Sequence, residues 1–146
     1  MAEAAILHLT LDSPELDAWL AGGEKVHRML RQDLSADYIA AMRQILAEGA
    51  EMALVHTGGT VHAIAVFRCY HNTYDGYRFY IDDLVTDEVL RGAGHGGALL
   101  RWCEALAGKR GCTNFCLDSG VQRDRAHRFY FREGMAITAF SFRKPL

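Results

Sequence analysis

The chain has 146 residues, half of them apolar and 23% charged, with a formal net charge of −2, which fits one domain (residues 1–146) with a sizeable core. Neither sign of charge is in enough excess to argue for a nucleic-acid or membrane partner, and no apolar run is long enough to span a bilayer. The N-terminus, MAEAAILHLTLDSPE, lacks the basic stretch of a signal peptide, and Cys69, Cys103, Cys112 and Cys116 lack zinc-ribbon spacing, so reduced thiols, no metal and a cytoplasmic location are expected.

Ile6–Thr10 reads as a first strand. Ser13-Pro14-Glu15 starts a helix, with a cap followed by proline at the first position. The Gly22-Gly23 pair is expected to break that helical region before Glu24–Gln32. Ser35 is the expected cap of a second helix, roughly Ala36–Ala47, closed by Gly49. The period then changes. Glu51–Thr57 and Val61–Tyr70 are strand-like and joined by Gly58-Gly59, a hairpin signal. His71–Gly76 makes a second turn, and Tyr77–Thr86 completes a meander.

Beyond a glycine loop, Leu99, Leu100, Cys103, Leu106 and Ala107 share one helical face. Thr113–Leu117 is a short strand, Gln122–Glu133 a helix closed by Gly134, and Ala136–Phe142 a last strand. The order β-α-α-β-β-β-α-β-α-β puts three hairpin strands before a crossover. That is an α+β (α/β) domain with a mixed, mainly antiparallel sheet flanked by helices.

Residues 79–97, FYIDDLVTDEVLRGAGHGG, carry the most functional information. A strand feeds Arg91-Gly92-Ala93-Gly94-His95-Gly96-Gly97, and a helix follows at once. Glycines let backbone approach an anion, and the first N–H groups of the helix point at it. Gly92-x-Gly94-x-x-Gly97 also spells the dinucleotide fingerprint, with Asp118 about 20 residues on. However, Asp87–Arg91 separates strand from glycine, the preceding strands look antiparallel, and too little chain follows for further βαβ units. No Gly-Lys-Ser/Thr follows, so a Walker loop is excluded.

Arg91-x-x-Gly94-x-Gly96 resembles the Q/R-x-x-G-x-G/A signature of the GNAT superfamily of acetyl-CoA-dependent N-acyltransferases. Leu84-Val85-Thr86-Asp87 precedes Arg91 at the family's spacing. Ala126-His127-Arg128-Phe129-Tyr130-Phe131-Arg132-Glu133-Gly134-Met135 resembles its A-x-x-F-Y-x-x-x-G-F element. Three features depart from the pattern. Arg123 stands where the family often has Asn, His95 stands where an aliphatic residue is usual, and a seventh strand is not expected.

The resemblance implies acetyl-CoA as co-substrate and transfer to a primary amine of a small acceptor. It places the pyrophosphate on the backbone of Arg91, Gly92, Ala93, Gly94, His95, Gly96 and Gly97, and the pantetheine arm along Leu84, Val85 and Thr86. Arg123 would meet the adenosine phosphate, and Tyr130 would protonate the departing thiolate. An acidic pair at this distance before the Arg resembles that of polyamine acetyltransferases. Asp82 would then act as base and Asp83 would hold a cationic nitrogen, which favours a cationic acceptor. The residues themselves leave salt bridges to Arg68 or Arg78 open as another role for this pair.

His71 and Tyr74, in the turn before the strand, are candidates for the acceptor pocket. No nucleic-acid or membrane partner is implied, and dimers are common in the superfamily, so a homodimer is compatible. Two rival readings remain from the sequence: a non-catalytic acyl-CoA-binding module and an NAD-type oxidoreductase.

Overall fold

The computed structural model describes residues 2–146. The chain divides into two compact units, one ending at Cys116 and one running Leu117–Leu146. In the first unit a single sheet takes the order β1-β2-β3-β4-β5, from β1 (Ala5–Leu9), β2 (Glu51–Thr57), β3 (Thr60–Asn72), β4 (Gly76–Thr86) and β5 (Asn114–Leu117). The first four strands pair antiparallel. That ladder is not the βαβ setting a dinucleotide fingerprint needs.

One face of the sheet is covered by α1 (Leu16–Leu30) and α2 (Tyr38–Ala47). Leu16, Leu20, Val26, Met42 and Leu46 from these helices pack on Met52, Leu54, Ile64, Val66 and Val85. The opposite face receives α3 (His95–Lys109), whose Trp102 lies against Phe67 and His8. Phe67, Phe79 and Phe115 continue that aromatic layer. Arg110, just past α3, grips Glu51 of β2 with both Nη atoms, at 2.5 and 2.8 Å.

Several elements differ from expectation: α1 begins at Leu16 after Glu15, with no side-chain cap, rather than at a Ser13 cap with Pro14 as its first residue. The Gly22-Gly23 pair does not break α1, which is continuous. A Cβ on Gly23 would come within 3.0 Å of Ile64 Cδ1, so the glycine is there to let the helix lie close to the sheet. The cap of α2 is Asp37, which accepts from the Ala40 N–H at 3.1 Å, rather than Ser35. Ser35 instead gives its carbonyl to Arg28 Nη2 at 2.7 Å. The five residues between β4 and the glycines form a 3₁₀ turn, Glu88–Leu90, capped by Asp87.

The second unit holds α4 (Asp124–Arg132), ended by Gly134 at φ +86° as expected. The expected strand at Ala136–Phe142 does not form, and Phe140 and Phe142 stand exposed. A strand needs a ladder partner for its N–H and C=O groups. Within this unit, β5 contributes only its last residue, Leu117.

Both bends in the sheet are bulges. Val55 pairs with Ala63 but His56 with Val61, which leaves His62 extra in β3. Val66 pairs with Asp83 but Phe67 with Ile81, which leaves Asp82 extra in β4. Bulges re-aim side chains, and both of these lie near the strand ends that lead to the glycine loop.

Candidate active site

The glycine loop is an uncapped helix N-terminus. Gly94 is the N-cap of α3 with φ +86°, no side chain caps the helix, and its first turn holds no acid. The first N–H groups of a helix have no partner inside it, and their dipole favours an anion. Gly92 and Gly94 both have positive φ, and a Cβ on either would meet nothing within 4 Å. Their backbone therefore faces open space. Gly96 lies against Thr86, where a Cβ would meet Oγ1 at 3.0 Å, so the last residue of β4 and the helix start are close together.

His95, the first residue of α3, stacks on the bulge residue His62 with ring centroids 4.9 Å apart. Burial, chiefly, and the neighbouring His95 and His56 hold His62 below its ordinary value, while Asp87 opposes them. His62 is thus a neighbour of the loop that the sequence alone does not single out.

Upstream on β4, the two aspartates are answered by cations. The bulge breaks the strict alternation expected of Asp82 and Asp83, and both reach partners on the α1 side. Asp82 accepts from Arg68 Nε at 2.9 Å. Asp83 accepts from Arg31 Nε at 2.6 Å and from His27 Nε2 at 2.7 Å. Arg31 also donates through Nη2 to the Asp82 carbonyl at 2.9 Å. His27 is buried, and its Nδ1 lies 2.8 Å from the Tyr38 hydroxyl. A carboxylate only accepts, so Nε2 of His27 carries the proton of that bond. Burial works against the Asp83 carboxylate, but His27 and Arg31 outweigh it and hold its carboxyl below the usual value. Of the two cations that sequence reading offered, Arg68 is the one used. Arg31, His27 and Tyr38 were missed. Their signal was the i, i+4 pair His27 and Arg31 on one helix face.

His71 and Tyr74 are not brought to the aspartates. His71 pairs with Tyr77 at the hairpin end and stacks on its ring at 4.5 Å, and the Tyr74 hydroxyl accepts from Arg78 Nη1 at 3.1 Å. Six residues of β4 separate Gly76 from Asp82, about 20 Å of strand. In the second unit, Tyr130 lies in α4 beside Phe129, and Arg123 is the residue before the helix. Burial pushes the Tyr130 phenol up, while Arg123 works in the other direction. Among the described residues, no group of His, Cys, Asp or Glu is placed to hold a metal ion, and no helix is long and apolar enough to cross a membrane.

An antiparallel sheet whose fourth strand bulges and then, through a short turn, feeds an uncapped, glycine-led helix is the frame of an acetyltransferase fold. A sequence model described as "Acetyltransferase (GNAT) family" matches residues 18–135, and the chain belongs to that family. It is 40% identical over 74 residues to an uncharacterized N-acetyltransferase of Bacillus subtilis, covering 50% of this chain and 52% of that protein. It is 33% identical over 92 residues to the aminoalkylphosphonate N-acetyltransferase of Salmonella typhimurium, covering 63% of this chain and 60% of that protein. The matches thus span little more than half the length of these curated relatives. An aminoglycoside N-acetyltransferase solved in complex with CoA shares the fold, with a TM-score of 0.79 at 14% identity, covering 100% of this chain and 97% of that one.

Proposed function

We propose that this chain works as one acyltransferase domain that moves the acetyl group of acetyl-CoA to a primary amine of a small acceptor, in the cytoplasm and without a metal. The observation that carries the reading is the uncapped N-terminus of α3, whose Gly96 lies against Thr86 at the end of β4. The match to the family model and the likeness to a CoA complex support acetyl-CoA as the ligand of that loop.

The residues of the loop, from Arg91 to Gly97, hold the pyrophosphate, the main chain of Leu84, Val85 and Thr86 lines the pantetheine arm, and Arg123 meets the adenosine phosphate. The amine nitrogen attacks the thioester carbonyl carbon, whose oxygen is polarised by a strand N–H. The C–S bond then breaks. Tyr130 gives its proton to the thiolate, and the ammonium proton passes through water to Asp82. The raised phenol of Tyr130 suits an acid that must hold its proton until the thiolate leaves. Asp82 keeps Oδ1 outside its bond with Arg68, which uses Oδ2. Asp83 is spent on Arg31 and His27, so the support it lent to a cationic acceptor falls away.

Thiol release from acetyl-CoA, followed across a panel of amines, tests the reading. Tyr130→Phe is expected to lower turnover by about 10²-fold, the lower end of general acid catalysis, with little change in acetyl-CoA affinity. Unchanged turnover would remove Tyr130 from the chemistry. Acetyl-CoA binding without thiol release from any amine would make the chain a binding module.

A further inference from the structure

We propose that the acceptor amine carries an anionic group, a phosphonate or a carboxylate, and that Arg31 receives it with Arg68 alongside. The inference rests on the acetyl-transfer reading and names the substrate class for that same site. Four formal charges meet at the β4 bulge, Asp82 and Asp83 against Arg31 and Arg68, and they balance. Exposure is uneven at one of the two pairs. The Arg31 side chain is 47% exposed while Asp83 beneath it is 13% exposed. Solvent over this pair therefore meets guanidinium before carboxylate.

The bonds of Arg31 use Nε and Nη2, so the N–H groups of Nη1 take no part in them. Arg68 spends Nε on Asp82 and keeps its Nη atoms outside that bond. An ammonium group entering here would have to displace a guanidinium from its carboxylate. An oxyanion instead adds to guanidinium donors, in the planar geometry that suits phosphonate and carboxylate.

Arg31 is also held for the task. It caps the C-terminus of α1, where a cation is favoured, and its own N–H donates to the His27 carbonyl at 3.0 Å. Beyond it, Arg28 pins the connection to α2 through the carbonyls of Leu34 and Ser35. Four residues of β4, roughly 13 Å of strand, separate Thr86 at the loop from Asp82. A pantetheine arm laid along that stretch brings its thioester toward the bulge. Arg31 donates to the main-chain carbonyl of Asp82, so the anion sits at the residue that carries the base, and a short carbon spacer between anion and amine is enough.

The test compares amines of similar size by thiol release: 2-aminoethylphosphonate, β-alanine, propylamine and putrescine. At least about tenfold higher kcat/KM for an anionic amine than for propylamine or putrescine is expected, a difference of about 1.4 kcal/mol. The better of 2-aminoethylphosphonate and β-alanine identifies the oxyacid. Arg31→Gln is expected to erase the preference through KM with kcat little changed, and Arg31→Lys, which keeps a cation over Asp83, to retain part of it. Preference for propylamine or putrescine, or a preference intact in a folded Arg31→Gln protein, overturns the proposal. Acetyl-CoA binding without thiol release from any of the four overturns the acetyl-transfer reading itself, and the acceptor class falls with it.

Discussion

The acidic pair on β4 and the glycine loop that follows the strand are built on opposite principles. The glycine loop opens a helix that no side chain caps, and the space a Cβ would take at Gly92 and Gly94 is open. The acidic pair is closed, with each carboxylate held by an arginine and Asp83 also by a buried histidine. An open site costs little to keep folded and waits for a ligand. A closed one contributes to the fold, and its chemistry is that of the cations it holds in place.

The contrast is broken most forcefully at Asp83. Asp83→Asn leaves His27 and Arg31 without their counter-charge, and a loss of about 3 kcal/mol in denaturant unfolding is expected, with acetyl-CoA affinity kept. Because the folded pKa of Asp83 lies below the usual 3.8, its stabilisation is full above that usual value. It is lost as pH falls through the lower folded value. The gap between wild type and Asp83→Asn should therefore close in acid. A gap independent of pH would mean the carboxylate's charge is not what holds the cluster.

Gly94→Val should do the reverse. The β-branched side chain is strained at φ +86°, and about tenfold weaker acetyl-CoA binding by calorimetry is expected with a smaller effect on unfolding. The smallest effect belongs to Arg68→Gln. The Arg68–Asp82 pair is about one-third exposed on both sides, so less than about 1 kcal/mol of stability should be lost. A larger loss would mean that Arg68 holds Asp82 as tightly as Asp83 is held, and would weaken the assignment of Asp82 as base.

The same contrast governs what could be read from sequence. The loop is legible because its determinants are local: glycine is the residue type that adopts these conformations at little steric cost, and strand, turn and helix follow one another directly. The three-strand meander β2–β4 and the helices of the first unit follow from hydrophobic period and hairpin turns in the same way. The partners of the aspartates are not local. His27 and Arg31 come from more than fifty residues upstream, and nothing in the spacing of β4 announces them. Gly23 misled for a related reason, since its smallness serves a contact with Ile64 across the helix–sheet interface rather than a break in the helix. At the other end of the chain, Ala136–Phe142 has the alternation of a strand but no ladder partner within its unit.

The bulge at Asp82 acts like a frameshift in a two-letter code. In an unbroken strand, Phe79, Ile81, Asp83 and Val85 would all point the same way. Phe79 and Ile81 pair with Cys69 and Phe67 on the aromatic layer beneath α3, whereas Asp83 and Val85 pair with Val66 and Ile64 on the side of α1. One inserted residue flips the reading of everything downstream. Without it, Asp83 would enter the aromatic layer with no arginine to meet it, and Arg31 would lose the carboxylate that holds it at the strand.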